Sequence, residues 1–343
     1  MFLKNMKISI ICPSEIAYRR FMPAIKKSVF FEYSGVGFHS INECIGISTK
    51  TDEMVEKSKK KALRFKSDFG GIVYNSYDEV IHDKEIEAIY IPLPPVFHYE
   101  YAKKSLDQLK HVFLEKPASF SLKEMDDLIS IAKSHELAIH ENFMFLYHSQ
   151  LNYILNIISN GEIGTVRLYR ISFGFPFRGA SDFRYNKKLG GGALADAGCY
   201  TLKLASHLLG STCKVESAIA SYEKGLEVDI SGHGILSNDF NQVVELSYGM
   251  DNDYKCDLEV WGSKGTLLTN RIFTAPVDYN PVVSISKNGQ IEKCELNSDD
   301  SFYNSIEYFR KCIEDSQLRN MHYDELRLQA RLFEQFKKKA GIE

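Results

Sequence analysis

The chain has 343 residues, of which 44% are hydrophobic and 25% are charged, and its formal net charge is −3. This length predicts two domains rather than one hydrophobic core. The weak negative charge argues against a nucleic-acid partner. A membrane partner is not expected either, because no apolar run approaches the roughly 20 residues that span a bilayer.

The cysteines and histidines exclude several other kinds of site. The seven cysteines are odd in number and form no CxxC pair. We therefore expect reduced thiols in a cytoplasmic protein rather than disulfides or a zinc knuckle. The ten histidines form no HExxH pair, so we predict no metal site. The first residues, MFLKNMKISIIC, predict a short strand and not a signal peptide.

The N-terminal segment has the strand–turn–helix order of a dinucleotide-binding unit. Lys7–Ile11 predicts the strand, and a helix-like stretch begins near Ala17. Cys12, Ser14 and Ala17 stand at the three positions of a G-x-G-x-x-G/A loop, so its first two glycines are missing. Taken alone, this loop favours a generic strand–helix turn over a nucleotide site. The candidate cofactor contacts of the loop are Cys12, Ser14, Glu15 and Ile16.

The segment Glu43–Thr51 predicts the second strand, with Thr49 and Lys50 at its end. An acidic residue at such a position binds the ribose 2′-hydroxyl of NAD. The hydroxyl and the cation found here instead suit the 2′-phosphate of NADP. We therefore expect NADP(H), with NAD(H) as the alternative. A solvated loop lysine is the other interpretation of Lys50.

Two further buried strands, Ile86–Ile91 and Val112–Leu114, are predicted to end in turns that contain proline. Helical segments alternate with the strands, and this alternation predicts a parallel sheet with right-handed crossovers. Ligands of such sheets bind outside the carboxyl ends of the strands. The candidate cofactor contacts after these two strands are Pro92, Leu93, Pro94, His98, Glu115 and Lys116.

Lys116 is the candidate catalytic residue of the first half of the chain. It follows the second of these strands in the stretch HVFLEKP. A lysine at the edge of the sheet offers a compact positive charge and three donors, which can polarise a carbonyl or stabilise an alkoxide. The alternative is a solvated lysine in a turn before the next helix.

The second half of the chain changes character, because apolar and polar residues alternate in it as in half-buried antiparallel strands. The predicted strands are Val166–Phe175, Val215–Ser221, Gly232–Leu236, Gln242–Ser247, Asp257–Trp261, Thr266–Thr269 and Val282–Ser286. Helices are predicted at Phe302–Ile313 and Tyr323–Lys338. This pattern indicates a mixed α+β domain around a large, mostly antiparallel sheet.

The stretch LGGGALADAGCYTL supplies the candidate chemistry of the second half. A helix is predicted from Ala193, and Asp196 and Tyr200 share one face of it because they are four residues apart. If this face meets the end of the Lys116 strand, a phenol, a carboxylate and a cation converge, which suits carbonyl reduction or alcohol oxidation by a nicotinamide. The alternative is a core tyrosine beside a surface aspartate.

Six motifs in register resemble the glucose–fructose oxidoreductase/inositol dehydrogenase (Gfo/Idh/MocA) family over nearly the whole chain. They are KISII-CPSEIA, IEAIYIPLPPVFH, HVFLEKP, ENFMFLYHSQ, GEIGTVR and GGGALADAGCY. The resemblance implies an α/β fold with a Rossmann NAD(P)-binding domain over residues 1–140. It implies a C-terminal α+β domain over residues 141–343, whose large open sheet often forms homodimers or homotetramers.

The resemblance also implies roles for particular residues. Lys116, Asp196 and Tyr200 match family positions that line the active site, and they are expected to contact both substrate and reacting atoms. Tyrosine at position 200 is similar to the branch that acts on sugars and nucleotide-linked sugars. Arg184 is a candidate for binding a substrate phosphate or hydroxyl, with an interdomain salt bridge as the alternative.

The substrate implied by the resemblance is a sugar. The segment NRIFTAP resembles part of the sugar 3-ketoreductases, so NADPH-dependent reduction of a keto-sugar, expected to be nucleotide-linked, is the leading hypothesis. A sugar or polyol dehydrogenase running oxidatively is the second. A non-catalytic, nucleotide-binding sensor is the third, favoured by the missing glycines and opposed by the retained Lys116, Asp196 and Tyr200.

Overall fold

The computed structural model of the protein describes residues 5–40, 51–179 and 182–342. The chain divides into two compact units and passes between them more than once. The first unit consists of Met1–Ser119, Lys123–Asn142 and Phe302–Asp324, and the second of Phe120–Leu122, Phe143–Ser301 and Glu325–Glu343. The division expected at residue 140 did not include this return of the chain to the first unit.

The first unit is a six-stranded parallel sheet with helices between its strands. Its strands are β1 (Met6–Ile10), β2 (Phe31–Gly37), β3 (Ile72–Tyr74), β4 (Ala88–Ile91), β5 (His111–Leu114) and β6 (Ile139–Glu141). Its helices are α1 (Met22–Ile25, continuing a π turn at Ala17–Phe21), α2 (Thr51–Phe69), α3 (Tyr77–His82), α4 (His98–Asp107) and α5 (Leu122–Ser134).

The order of the parallel strands is β3-β2-β1-β4-β5-β6. This is the order of a doubly wound dinucleotide-binding fold, and it reverses at β1. The predicted Rossmann domain is therefore confirmed. A ligand is expected in the crevice at the carboxyl ends of β1 and β4, because the strand order switches direction there.

The central strands are apolar along their length because helices cover both faces of a parallel sheet. All four residues of β4 are buried, and Val112, Phe113 and Leu114 of β5 are fully buried. Continuous burial explains why these strands could be predicted from short apolar runs.

The second strand lies earlier in the chain than predicted. It is β2, which pairs with β1 in parallel, whereas the prediction at Glu43–Thr51 was wrong about its position. Polar residues and a glycine interrupt the apolar pattern of FEYSGVG and hide the strand, although its Phe31 and Val36 are buried. Residues 41–50 lie outside the described part of the chain.

The second unit is built on an eight-stranded sheet. Its strands are β7 (Val166–Gly174), β8 (Lys214–Tyr222), β9 (Asp229–Ser237), β10 (Val243–Gly249), β11 (Lys255–Gly262), β12 (Thr266–Thr269), β13 (Val282–Lys287) and β14 (Gln290–Glu295). The remaining helices of the chain are α6 (Ser149–Ser159), α7 (Cys199–Leu209, continuing a π turn at Leu194–Gly198), α8 (Ser301–Glu314) and α9 (Ser316–Ala340).

The strand order of this sheet is β14-β13-β12-β11-β7-β10-β9-β8. Within the described chain, the strands pair antiparallel everywhere except between β7 and β10. The predicted mostly antiparallel sheet is thus confirmed. Its inner face is apolar, as Tyr169, Ile171 and Phe173 of β7 show, and α7 and the end of α9 cover that face.

Helix α8 and the start of α9 belong to the first unit. Phe309 of α8 is fully buried and stacks on Phe31 of β2 at 5.7 Å between ring centroids. It also meets Phe113 of β5 at 5.5 Å. This aromatic packing joins a late segment of the chain to the parallel sheet.

Among the helices in the described ranges, none has both the length and the apolar composition needed to cross a membrane.

Candidate functional site

The first half of the candidate site lies at the carboxyl end of β5, where Glu115 and Lys116 leave the sheet. Glu115 is surrounded by protein, and burial raises the pKa of its carboxyl group. Its Oε1 accepts hydrogen bonds from the Tyr90 hydroxyl and the Asn142 amide, each at 2.8 Å. The two donors come from the ends of β4 and β6, so three adjacent strand ends are tied through one carboxylate.

The hydrogen bonds of Glu115 continue into the interior of the first unit. The Ser305 hydroxyl of α8 donates to Asn142 Oδ1 at 2.9 Å, and His140 Nε2 lies 2.8 Å from the same hydroxyl. The His140 ring in turn stacks on His322 of α9 at 5.1 Å between centroids. A connected polar chain therefore joins the residue before Lys116 to the two C-terminal helices of this unit.

His98 holds the two proline turns of the first unit together. Its Nε2 lies 2.8 Å from the Leu93 carbonyl oxygen, and its Nδ1 lies 2.7 Å from that of Pro117. The side chain is fully buried, and this burial lowers its pKa to about 4, against the raising effect of the two carbonyl contacts. Because both ring nitrogens face main-chain carbonyl oxygens, His98 is placed to hold the Pro92–Pro94 turn against the turn after Lys116.

The N-terminal loop has the geometry of a helix cap at the switch point of the sheet. The Ser14 hydroxyl oxygen accepts a hydrogen bond from the Ala17 amide at 3.1 Å. Ala17 is fully buried, as close helix–strand packing requires at the last position of the loop motif. Cys12 and Ile16 are half-buried, and Glu15 is exposed and pairs with Arg19 at 3.2 Å. A strand end followed by the N-terminus of a helix fits a dinucleotide phosphate.

The residues that discriminate NADP from NAD in such folds follow the second strand. Thr49 and Lys50, predicted for this role, lie outside the described residues. In the described chain β2 is followed by Phe38, His39 and Ser40. Nδ1 of His39 lies 3.2 Å from the Tyr77 hydroxyl. Sequence reasoning missed these residues because it placed the strand too late in the chain.

The second half of the candidate site lies at the start of α7, after the triple glycine. Gly192 has φ +122°, and a Cβ there would stand 2.4 Å from Asp229 Oδ1. A Cβ at Gly191 would stand 2.4 Å from the Arg184 carbonyl oxygen. Both positions therefore need glycine, because backbone and carboxylate approach too closely for a side chain. Asp229 Oδ2 accepts the Leu194 amide at 2.8 Å.

Arg184 forms a pair of salt bridges inside the second unit. Its Nε lies 2.5 Å from Asp196 Oδ2, and its Nη1 lies 3.1 Å from Asp182 Oδ1. The three side chains are largely buried, with 14% to 22% of their surface exposed. The two carboxylates raise the pKa of the guanidinium against the opposing effect of burial. The structure thus brings two predicted residues, Arg184 and Asp196, into direct contact.

Tyr200 stands one turn after Asp196 among aromatic rings. Phe143 and Phe173 meet its ring edge-on at 5.4 and 5.3 Å between centroids. Phe145 and Phe273 lie at 5.9 and 5.6 Å. Tyr200 itself is half-buried, whereas these four phenylalanines are buried. The ring is fixed by apolar packing, which leaves its hydroxyl as the polar end of the residue.

The predicted residues fall into two groups, each described within its own unit. In the first unit, His98 links the proline turn after β4 to the turn after Lys116. Glu115, next to Lys116, is linked to β4 through the Tyr90 hydroxyl. Asp196, Tyr200 and Arg184 belong to the second unit. Three residues that support these groups could not be predicted, because a single polar residue on or beside a strand has no local pattern. They are Tyr90, Asn142 and Asp229.

Two family models match the chain. The first, described as an oxidoreductase family with an NAD-binding Rossmann fold (Gfo/Idh/MocA), matches residues 38–143. The second, the C-terminal domain of the same family, matches residues 152–268.

Two similar proteins share the name of one reductase. A "dTDP-3,4-didehydro-2,6-dideoxy-alpha-D-glucose 3-reductase" from Actinomadura kijaniata is 31% identical over 307 residues, covering 90% of this chain and 87% of that protein. The reductase of the same name from Saccharopolyspora spinosa is 29% identical, covering 90% and 88%.

A solved structure is similar along nearly the full length. It is a 3-ketoreductase from Actinomadura kijaniata in complex with NADP and TDP-benzene, with a TM-score of 0.87, 29% identity and coverage of 98% of both chains. Other structures of that protein replace one lysine or one tyrosine and hold the same two ligands. The chain studied here belongs to the Gfo/Idh/MocA family of oxidoreductases.

Proposed function

We propose that this chain reduces the keto group of a nucleotide-linked deoxy-sugar with NADPH. The observation that carries the proposal is the similarity, along about 90% of the chain, to reductases of dTDP-linked 3-keto-sugars. A structure similar over both units was solved with NADP and a TDP compound bound. The oxidoreductase family of the chain fits the same reaction.

The cofactor fits the carboxyl edge of the parallel sheet. The capped loop at Cys12–Ile16 would receive its phosphates, and the Pro92–Pro94 turn and the Glu115–Lys116 end of β5 would border the nicotinamide. Once bound, the cofactor supplies a hydride to the carbonyl carbon. The carbonyl oxygen must gain a proton in the same reaction, and this proton comes from the protein.

We propose that Lys116 and Tyr200 act on the carbonyl oxygen of the substrate. The Lys116 ammonium polarises the carbonyl and stabilises the developing alkoxide. The Tyr200 hydroxyl delivers the proton, since a phenol can act as a general acid. The hydrogen bonds that fix Glu115 support the position of the neighbouring Lys116, and the aromatic rings around Tyr200 limit the rotation of the phenol.

Asp196 and Arg184 are assigned to substrate orientation. Asp196 Oδ2 accepts a hydrogen bond from Arg184 Nε, and the Asp196 carboxylate is suited to accept another from a sugar hydroxyl. Arg184 is charged at every physiological pH, and its guanidinium holds the Asp196 carboxylate in place through this contact. Both residues are therefore assigned to binding the polar groups of the sugar.

The replacement Lys116→Met should abolish turnover while sparing cofactor binding, because methionine keeps the length of the side chain and removes its charge. We expect kcat to fall by about 10²–10⁴-fold, the range for losing one electrostatic or acid–base group. Steady-state oxidation of NADPH with a dTDP-linked 3-keto-sugar measures kcat, and fluorescence titration measures the Kd of NADPH.

The matched control is Lys84→Met, at an exposed lysine of the same unit. It should leave both constants unchanged. Turnover retained in Lys116→Met would remove Lys116 from its assigned role. Loss of NADPH binding in the same variant would assign Lys116 to the cofactor alone.

We propose that residues after β2 determine the preference for NADPH. His39 and Ser40 stand two and three residues after this strand, and Thr49 and Lys50 are a second candidate pair further along the chain. A carboxylate after the second strand accepts the ribose 2′-hydroxyl of NADH and repels a 2′-phosphate. The first pair is favoured because it stands at the usual distance from the strand end.

The replacement Ser40→Asp should therefore weaken NADPH binding by about tenfold or more, from charge repulsion worth at least about 1.4 kcal/mol, and should strengthen NADH binding. Fluorescence titration with both cofactors gives the ratio of Kd values. Lys50→Asp is the paired variant and should change this ratio less. The opposite ranking would assign the 2′-phosphate to the Thr49–Lys50 segment.

We also propose that the chain forms homodimers or homotetramers through the outer face of the second sheet. Ladder pairing places Trp261, Leu268 and Ile235 on one face with the Arg170–Glu245 salt bridge. These three apolar residues are 42% to 51% exposed. An apolar patch around a charged centre is typical of an interaction surface. We further propose a cytoplasmic location, supported by the odd number of cysteines.

The replacement Trp261→Arg should shift the protein toward monomers, because it puts a second cation beside Arg170 on a surface meant to pair with its own copy. Light scattering after gel filtration gives the mass. Phe240→Arg is the control, since Phe240 is 79% exposed in the turn between β9 and β10. A wild-type protein that is monomeric at micromolar concentration would contradict the proposed assembly.

A further inference from the structure

Asp229 is a buried carboxylate on β9 that contacts the start of the segment carrying Asp196 and Tyr200. It is 3% exposed. Its Oδ2 accepts the Leu194 amide at 2.8 Å, and the carboxylate also accepts hydrogen bonds from the Ala193 amide and from its own backbone amide. Residues 193 and 194 begin the helical segment, so Asp229 caps that segment from another element of the fold.

The cap comes from outside because the segment has none of its own. The residue at the N-cap position, Ala193, has no polar side chain, and no side-chain cap bond is made there. The first amides of a helix have no partner within the helix and need an acceptor. Gly192 leaves the space for the carboxylate, since a Cβ at that position would stand 2.4 Å from Asp229 Oδ1. The glycine and the aspartate therefore form one local arrangement.

The surroundings of Asp229 make its charge sensitive to pH. Burial raises its pKa to about 6, against the lowering effect of the three amide bonds and of Lys337 on α9. Tyr248 on β10 interacts with it electrostatically. The buried Tyr248 hydroxyl has no hydrogen-bond partner among the described residues, and burial and the Asp229 charge raise its pKa. Tyr222 on β8 is its partner across the strand pair.

We propose that Asp229 is a positioning residue that fixes the helical segment bearing Asp196 and Tyr200, and that protonation of Asp229 loosens this segment. A protonated carboxyl keeps one good acceptor oxygen, so one of the two helix amides loses its hydrogen bond. Tyr200 lies less than two turns further along the segment, so its hydroxyl moves with the start of the helix. The inference rests on the proposed function for its effect on turnover but not for its effect on the helix.

The predicted effect is local and is not acid unfolding. The pKa of Asp229 is raised above its ordinary value in the folded protein, so protonation of this group as the pH falls favours the folded state overall. The fold is therefore kept while the cap is weakened. A decline in kcat with a midpoint near pH 6 is expected in the wild-type protein, with unchanged affinity for NADPH.

The test uses Asp229→Asn, which has the shape of the protonated carboxyl and cannot ionise. Hydrogen exchange of the Ala193 and Leu194 amides, corrected for the intrinsic effect of pH, is measured by mass spectrometry at about pH 8 and about pH 5, on either side of the titration. The wild-type amides should lose protection by about tenfold between these values, the effect of about 1.4 kcal/mol. The variant should show the low protection at both.

The second readout is the pH profile of kcat with the keto-sugar and NADPH. In Asp229→Asn the decline near pH 6 should be missing, and kcat at higher pH should match the acid plateau of the wild type. Asp239→Asn, at an exposed aspartate of the same unit, should behave as the wild type in both measurements.

The outcomes separate the two proposals. A pH step in amide exchange that the variant lacks, without turnover of any keto-sugar, would support the cap and contradict the proposed function. Turnover with an acid limb that Asp229→Asn retains would contradict the positioning role alone. Equal exchange of both amides in the wild type and the variant at about pH 8 would overturn the inference.

Discussion

A carboxylate fixed by hydrogen bonds anchors each group of candidate site residues. Leaving such a carboxylate without partners costs about 1–3 kcal/mol or more, so its donors are held in fixed places. Glu115 takes donors from the ends of β4 and β6 directly before Lys116. Asp229 takes the first amides of the segment that carries Asp196 and Tyr200. In both units a hydrogen-bonded carboxylate thus fixes the backbone near the side chains that we propose to react.

This arrangement separates the residues that do chemistry from those that hold them. His98 ties two loops through main-chain carbonyls, and Arg184 holds Asp196 through its guanidinium. Donors held by such contacts provide the preorganisation that carbonyl polarisation requires, because they need not move when charge develops on the oxygen. Two of the three glycines before Ala193 also hold this region in place. Gly191 leaves room for the Arg184 carbonyl oxygen, and Gly192 leaves room for the Asp229 carboxylate.

The sequence predicted the elements that have a periodic pattern and missed those that depend on tertiary contacts. The apolar runs at Ile86–Ile91 and Val112–Leu114 were found because both faces of their strands are buried. The strand Phe31–Gly37 was missed because polar residues interrupt it. The predicted second strand, and with it the expected 2′-phosphate contacts at Thr49 and Lys50, was therefore placed later in the chain. Asp229 lies 33 residues after Asp196 in the chain (229 − 196). No local spacing in the sequence indicates that Asp229 caps the helical segment that bears Asp196 and Tyr200.

We propose that this chain transfers a hydride from NADPH to a keto carbon of a nucleotide-linked sugar. Transfer can be followed with NADPH that carries deuterium at the transferable position of its nicotinamide ring, together with a dTDP-linked 3-keto-sugar. We expect one deuterium in the sugar product, on the carbon that bore the keto group, located by nuclear magnetic resonance. A product without deuterium, or no product at enzyme concentrations that bind NADPH, would contradict it.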